Sequence, residues 1–148
     1  MSLIDTTPPA QTDAISFEIE LRHAPAKVWR ALTEPALLSQ WLLPSLGLTL
    51  QTGATFRLLA PAFPGWDGVV RCQMLEIEEH RKLSYSWVVG DMELRTVVTF
   101  TLTPTESGTR LSLVQSGFQP SQKQNFGGAR YGWRMMGERL IELLARAD

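Results

Sequence analysis

Residues 14–32, AISFEIELRHAPAKVWRAL, change from one hydrophobic period to another part-way along their length. From Ile15 to Leu21 every second residue is apolar, and this period predicts a strand with one buried face. From Pro25 onward the apolar residues follow a helical spacing, and proline suits the first turn of a helix. The stretch therefore predicts a strand that is followed at once by a short helix.

The residues on either side of this stretch are predicted from their prolines and polar side chains. Residues 1–13 are polar and contain two consecutive prolines, so we expect a flexible N-terminal tail before a single domain at residues 14–148. After the first helix, Thr33 can cap a second short helix that has Pro35 in its first turn.

Residues 46–117 alternate between apolar and polar side chains in several short runs, which turn residues separate. Consecutive strands with short connections predict an antiparallel meander. A bulge near Leu75 and Glu76 is expected to turn Ile77 towards the buried face.

The C-terminal residues return to a helical period after Gly127 and Gly128, which are predicted to break the chain before the helix. An apolar stripe from Trp133 to Leu144 then predicts a long helix that covers the apolar face of the sheet. The predicted fold class is α+β, with an antiparallel sheet of about six or seven strands. Two short helices follow its first strand, and the long C-terminal helix lies over its apolar face.

The composition excludes several classes of protein. The 148 residues are 44% apolar and 20% charged with a formal net charge of −1, which is typical of one globular domain and not of a nucleic-acid-binding surface. Cys72 is the single cysteine and forms no intramolecular disulfide. The N-terminus has no leader-like pattern, and no stretch approaches the ~18 apolar residues of a membrane-spanning helix. We expect a cytoplasmic monomer or homodimer that binds no nucleic acid and does not enter the membrane.

Short motifs spread along the chain resemble those of a known family. They occur in the family's order and spacing at residues 24–33, 40–41, 56–57, 83–87, 108–118 and 132–133. On these motifs, residues 15–145 resemble the START-like (SRPBCC) superfamily and, within it, the homologues of the activator of heat-shock protein 90 ATPase. The resemblance implies a helix-grip fold with a deep pocket between the concave sheet and the C-terminal helix.

The titratable residues form no pattern of known chemistry. Glu76, Glu78, Glu79 and His80 fall in one turn. Their spacing matches no metal-ligand pattern, which favours a solvated turn over a metal site. Cys72 falls on the predicted buried face, which is typical of an inert core thiol. We therefore predict no catalytic residue, no metal site and no cofactor.

Large aromatic and sulfur-containing side chains are the stronger candidates for a site. Such side chains line adaptable apolar pockets. Core packing is the favoured explanation for each one alone, and the ligand explanation gains weight for the set. The predicted ligand cavity consists of Trp41, Phe56, Arg57, Trp66, Met74, Tyr85, Trp87, Phe100, Trp133, Met136 and Gly137.

Three members of this set carry more specific expectations. The candidates for the polar anchor of the cavity are Arg57, Arg71, Tyr85 and Gln115, and Arg57 or Tyr85 is the predicted one. Gly137 lies within the helical stretch, where glycine costs roughly 1 kcal/mol relative to alanine. It makes room either for a ligand or for close approach of the sheet, and the sequence leaves these two explanations open. Residues 61–67, with Phe63 and Trp66, are expected to form a lip over the cavity mouth.

Three functions are compatible with the sequence. The first is non-enzymatic binding of a small hydrophobic or amphipathic molecule, such as a lipid, in the cavity. The second, which the resemblance implies, is a co-chaperone or other protein-interaction module with a chaperone or another protein as its partner in a stress response. It predicts an exposed apolar patch and an interior filled by its own side chains. The third is a cyclase-like or hydrolase-like enzyme, which needs an acid–base pair in the same cavity.

Overall fold

A computed structural model of the chain describes residues 2–10, 13–62, 66–90 and 94–146. Its strands, in chain order, are β1 (Ser2–Asp5), β2 (Ala14–Leu21), β3 (Ser45–Leu46), β4 (Thr55–Leu59), β5 (Val69–Glu78), β6 (Lys82–Val89), β7 (Leu94–Pro104) and β8 (Thr109–Ser116). Its helices are α1 (Pro25–Thr33), α2 (Pro35–Trp41) and α3 (Lys123–Arg146).

The eight strands form one antiparallel sheet in the order β1-β2-β8-β7-β6-β5-β4-β3. Residues alternate between a buried and a more exposed position along the long strands, so the sheet buries one face. The three helices pack on that face, and α3 contacts α1, α2 and the two N-terminal strands. The α+β fold class and the long C-terminal helix are confirmed, and the arrangement is a helix grip.

The N-terminal residues differ from the flexible tail that the sequence predicted. Ser2–Asp5 pairs with β2 as an edge strand, and Thr7 exchanges hydrogen bonds with Ser16 through its hydroxyl group. The carboxylate of Asp5 accepts hydrogen bonds from Arg130 and Arg134 of α3. The prediction considered only local polarity, whereas the edge of β2 and the cations of α3 supply partners from distant parts of the chain.

The first two helices begin as predicted, with proline in the first turn of each. The predicted cap of α2 is wrong, because Glu34 and not Thr33 precedes that helix. Thr33 is the last residue of α1, and its hydroxyl group donates to the carbonyl of Trp29 at 2.8 Å. Glu34 takes an extended conformation, as a residue before proline prefers, and this separates the two helices.

The bulge in β5 is confirmed. The register between β5 and β6 shifts between Met74 and Glu76. After the shift Ile77 lies opposite Leu83 and packs against the core.

Helix α3 begins at Lys123, ahead of the two glycines that were expected to precede it. Phe126 in its first turn is buried and packs edge-on against Phe118, with ring centroids 5.3 Å apart. This tertiary contact outweighs the low helix propensity of Gly127 and Gly128. Within the part of the chain described, none of the helices is both long and apolar enough to cross a membrane.

Replacing Gly127 or Gly128 by alanine is expected to stabilise the protein by roughly 0.5–1 kcal/mol each. Apart from its chain neighbours and the backbone of its own helix, a Cβ atom at either position would meet no heavy atom within 4 Å, so the gain in helix propensity carries no packing cost. Urea titration of each variant gives the change in the free energy of unfolding. A loss of stability in both variants would contradict the early start of α3.

Candidate functional site

The buried face of the sheet carries a continuous cluster of aromatic rings, which we call the aromatic interior. Phe100 of β7 lies at its centre, with ring centroids 6.0 Å from Tyr85, 6.1 Å from Trp133 and 6.2 Å from Trp41. Because these rings come from β7, β6, α3 and α2, the cluster joins the sheet to both helices.

Two further rings extend the aromatic interior towards its ends. Phe56 of β4 packs against Tyr85 at 5.1 Å, and Trp87 of β6 packs against Trp133 at 5.5 Å. The ring pairs are tilted or T-shaped, geometries that aromatic quadrupoles favour. These ring contacts run across the region in which the sequence predicted a ligand cavity.

A buried chain of hydrogen bonds fixes α3 to the sheet. The indole Nε1 of Trp133 donates to Oε1 of Gln115 at 2.7 Å, and Nε2 of Gln115 donates to Oγ1 of Thr96 at 2.9 Å. The Thr96 hydroxyl in turn donates to the backbone carbonyl of Trp87 at 2.8 Å. Each of these buried polar groups is satisfied within the protein, as buried polar groups require.

Tyr85 is the exception within the aromatic interior. Its side chain is only 1% exposed, and its hydroxyl group has no hydrogen-bond partner in the described part of the chain. Burial, and secondarily the neighbouring Cys72, raise the pKa of Tyr85 well above its ordinary value. The phenol is therefore a neutral, unsatisfied donor among apolar walls, which is an unfavourable state without a partner.

Cys72 lies on the same buried face, and its thiol is unreactive. Burial raises the pKa of its thiol to about 12, so the nucleophilic thiolate is not populated near neutral pH. Its sulfur lies 3.8 Å from the carbonyl oxygen of Val70 as a weak donor. The sequence interpretation of Cys72 as a core thiol agrees with this environment.

Comparison with known protein families shows to which family the chain belongs. A model described as Activator of Hsp90 ATPase homolog 1-like protein matches residues 22–145. The chain belongs to this family. The family and its structural neighbours are of the START-like (SRPBCC) type, a group whose members bind hydrophobic ligands, and the sequence resemblance is confirmed.

Solved structures of several proteins are similar to this chain. Protein MLL2253 from Mesorhizobium loti is 41% identical over 91% of this chain and 98% of its own, with a TM-score of 0.84. CalU16 from Micromonospora echinospora is 24% identical over 98% of this chain and 85% of its own, with a TM-score of 0.72. DynU16, a protein of the dynemicin biosynthetic locus, is 22% identical over 92% of this chain and 48% of its own, with a TM-score of 0.76. CalU16 and DynU16 show the fold alone, and no curated protein matches the sequence.

The structure brings together seven of the predicted cavity residues on the buried face of the family fold. These are Trp41, Phe56, Met74, Tyr85, Trp87, Phe100 and Trp133. Met136 of α3 is partly buried and packs at the margin of the core. Trp66 is also partly buried, and its Nε1 donates to the carbonyl of Val69 at 3.2 Å. Phe63, predicted to share a lip with Trp66, lies outside the described residues.

Arg57 does not join this group. It lies between the buried residues Phe56 and Leu58 of β4 and is exposed on the opposite face of the sheet. Alternation along the strand excludes it from the aromatic interior, so Tyr85 remains as the predicted polar anchor.

Gly137 is explained by close packing of the N-terminal strands. A Cβ atom at this position would lie 3.0 Å from Cδ1 of Leu3 and 3.4 Å from Cδ1 of Ile19. Of the two explanations that the sequence left open, the structure supports close approach of the sheet. The space beside Gly137 is occupied by β1 and β2 side chains.

The sequence analysis did not predict the structural roles of two residues in the site. Gln115 was a possible anchor for a ligand, but its side chain is committed to Trp133 and Thr96. Thr96 was not singled out, although a threonine on the apolar face of a strand signals a buried hydrogen bond.

Proposed function

We propose that this protein binds a small hydrophobic or amphipathic molecule within the aromatic interior, without catalysing a reaction. The observation that carries the proposal is the buried hydroxyl group of Tyr85, which has no partner in the described residues. A ligand with a hydrogen-bond acceptor would satisfy this donor, and its apolar surface would be buried against the surrounding rings. The proposed ligand is therefore mostly apolar and carries one well-placed acceptor.

Binding on this proposal requires side chains to move, because the rings of the interior contact one another. Met74 lies directly across from Tyr85 in the β5–β6 register and is buried. Methionine is unbranched and adapts to irregular spaces, so it is the side chain best suited to make room. Ligand binding then selects a minor, more open arrangement of the interior.

The proposal is tested with two aromatic probes of nearly equal shape, 2-acetylnaphthalene and 2-ethylnaphthalene. Only the first carries a carbonyl acceptor for the Tyr85 hydroxyl. Quenching of tryptophan fluorescence is expected to be saturable for both, with 2-acetylnaphthalene bound about tenfold more tightly because of one buried hydrogen bond. Mass spectrometry of molecules that co-purify with the native protein gives the class of the natural ligand.

The Tyr85→Phe variant separates binding from folding. It should abolish the preference for 2-acetylnaphthalene and raise the free energy of unfolding of the ligand-free protein by about 1 kcal/mol, because an unsatisfied buried hydroxyl group is removed. Tyr131→Phe is the matched control, since Tyr131 is 66% exposed on α3 and should change neither quantity. The absence of saturable binding by either probe, together with the absence of any co-purified molecule, would refute the proposal.

Protein interaction of the heat-shock protein 90 activator type is the second candidate function. It predicts an interior filled by its own side chains, and the ring contacts of the aromatic interior fit that expectation. Co-precipitation with purified heat-shock protein 90, followed by measurement of the chaperone's ATPase rate, tests it. Stable association and stimulation in a protein that binds neither naphthalene probe would favour this function over ligand binding.

The enzyme alternative gains no support from the buried face. Among the described residues the buried polar side chains besides Tyr85 and Cys72 are Thr7, Ser84, Thr96, Thr109 and Gln115, and none of them is a carboxylate. The acid–base pair that this alternative needs is not supplied by these groups.

A further inference from the structure

A recess lies on the outer face of the sheet, opposite the aromatic interior. It has a volume of about 610 Å³, and we call it the arginine groove. Its lining consists of Leu46, Gly47, Thr55, Phe56, Arg57, Arg71, Cys72, Gln73, Ser86 and Val88. The side chains of Phe56 and Cys72 are buried on the inner face, so by strand alternation these two residues form the floor of the groove with their backbone.

Two arginines lie side by side in the groove. Arg57 of β4 and Arg71 of β5 are direct partners in the antiparallel register. Such partners have Cα atoms about 4.5–5.5 Å apart, and like charges directly opposite one another destabilise a sheet. A binding function accounts for an arrangement that folding alone disfavours.

The two guanidinium groups are only partly neutralised. Arg71 contacts the carboxylate of Asp67 at 3.3 Å, and both side chains are about half exposed. Arg57 takes part in none of the ion pairs formed among the described residues. None of the ten lining residues is acidic, and Arg95 continues the row beyond Val88 on β7.

Apolar side chains flank the arginine pair on both sides. Leu46 of β3 lies opposite Arg57, and Val88 of β6 lies opposite Arg71. Leu46 is 50% exposed, so it offers apolar surface to a ligand. From β3 to β6, this cross-strand row therefore consists of an apolar side chain, two cationic side chains and a second apolar side chain.

We propose that the arginine groove binds an amphipathic molecule with an oxyanion head group, either a carboxylate or a phosphate. Guanidinium groups bind both head groups through paired hydrogen bonds, and an anion between Arg57 and Arg71 removes their mutual repulsion. The apolar part of the molecule lies over Leu46 or Val88. This site is separate from the aromatic interior and does not depend on the function proposed for it.

Three probes with the same ten-carbon chain test the proposal: decanoate, decyl phosphate and decanol. Calorimetry should show at least one of the two anions binding about tenfold or more tightly than decanol, and the stronger of them identifies the preferred head group. Arg57→Gln should weaken binding of that anion about tenfold. Arg110→Gln is the matched control, because Arg110 lies on the same face but is paired with Glu20 at 2.7 Å.

Amide signals in an NMR titration locate the bound anion. The backbone signals of Thr55 and Gln73 should shift, whereas the indole signal of Trp133 should not, and Tyr85→Phe should leave anion binding unchanged. Equal binding of decanol and the anions, or full binding by Arg57→Gln, would overturn the proposal. A shift of the Trp133 indole with no shift at Thr55 and Gln73 would place the anion in the aromatic interior and would overturn it as well.

Discussion

Gly137→Leu is expected to lower the free energy of unfolding by about 3 kcal/mol, the upper part of the range for overpacked cores. Even a Cβ atom at this position would lie 3.0 Å from Cδ1 of Leu3, and the rest of a leucine side chain would occupy the space that Leu3 and Ile19 now fill. Leu3 belongs to an edge strand, so β1 should separate from β2 before the core itself opens. Urea unfolding measures the loss, and faster hydrogen exchange at residues 2–5 locates it.

Two variants show whether this loss comes from the contact with β1. Leu3→Ala in the Gly137→Leu background should recover part of the lost stability, which a double-mutant cycle quantifies. Gly128→Leu places the same side chain on the same helix where a Cβ atom meets nothing within 4 Å, and it should not destabilise the protein. If Gly137→Leu were as stable as the wild type but bound no naphthalene probe, Gly137 would instead be making room for a ligand.

The sequence predicted those parts of the fold that depend on local patterns. The alternation in β2, the prolines that open α1 and α2, and the bulge between Met74 and Glu76 are properties of neighbouring residues. What it missed depends on contacts between distant residues. The pairing of β1 with β2 and the packing of Phe126 against Phe118 cannot be seen in a local window.

For the candidate site too, local patterns in the sequence were predictive and pairings between distant residues were not. Most of the aromatic interior was predicted, because large apolar residues on the inner face of a strand pack in the core whether or not a ligand binds there. Arg57 was placed on the wrong face, although the alternation of Phe56 and Leu58 already directs the residue between them outward. The cross-strand pairing of Arg57 with Arg71 needed the register of β4 and β5, which sequence alone does not supply.

Gln115→Leu is expected to destabilise the protein by about 2–3 kcal/mol, even though leucine suits a buried strand position. The substitution removes the acceptor of the Trp133 indole N–H at 2.7 Å and leaves that donor buried without a partner. It also removes the amide that donates to Thr96, while the bond from Thr96 to the Trp87 carbonyl can persist. Urea unfolding gives the change, and the Trp133 indole signal in a proton–nitrogen NMR spectrum should move.

The double variant Gln115→Leu with Trp133→Phe distinguishes a lost hydrogen bond from poor packing. Phenylalanine has no N–H group, so in the Gln115→Leu background Trp133→Phe removes a donor that already lacks its partner. In the wild type the same substitution takes the donor away from Gln115. Trp133→Phe should therefore lower the free energy of unfolding less in the Gln115→Leu background than in the wild type. Gln40→Leu is the matched control, since Gln40 is exposed on α2 and its side-chain amide donates to the carbonyl of Ala36 in the same helix. Strict additivity of the two substitutions would mean that the bond between Gln115 and Trp133 contributes nothing to holding α3 on the sheet. A favourable coupling of about 1 kcal/mol or more would make it the polar link that sets the position of α3 over the aromatic interior.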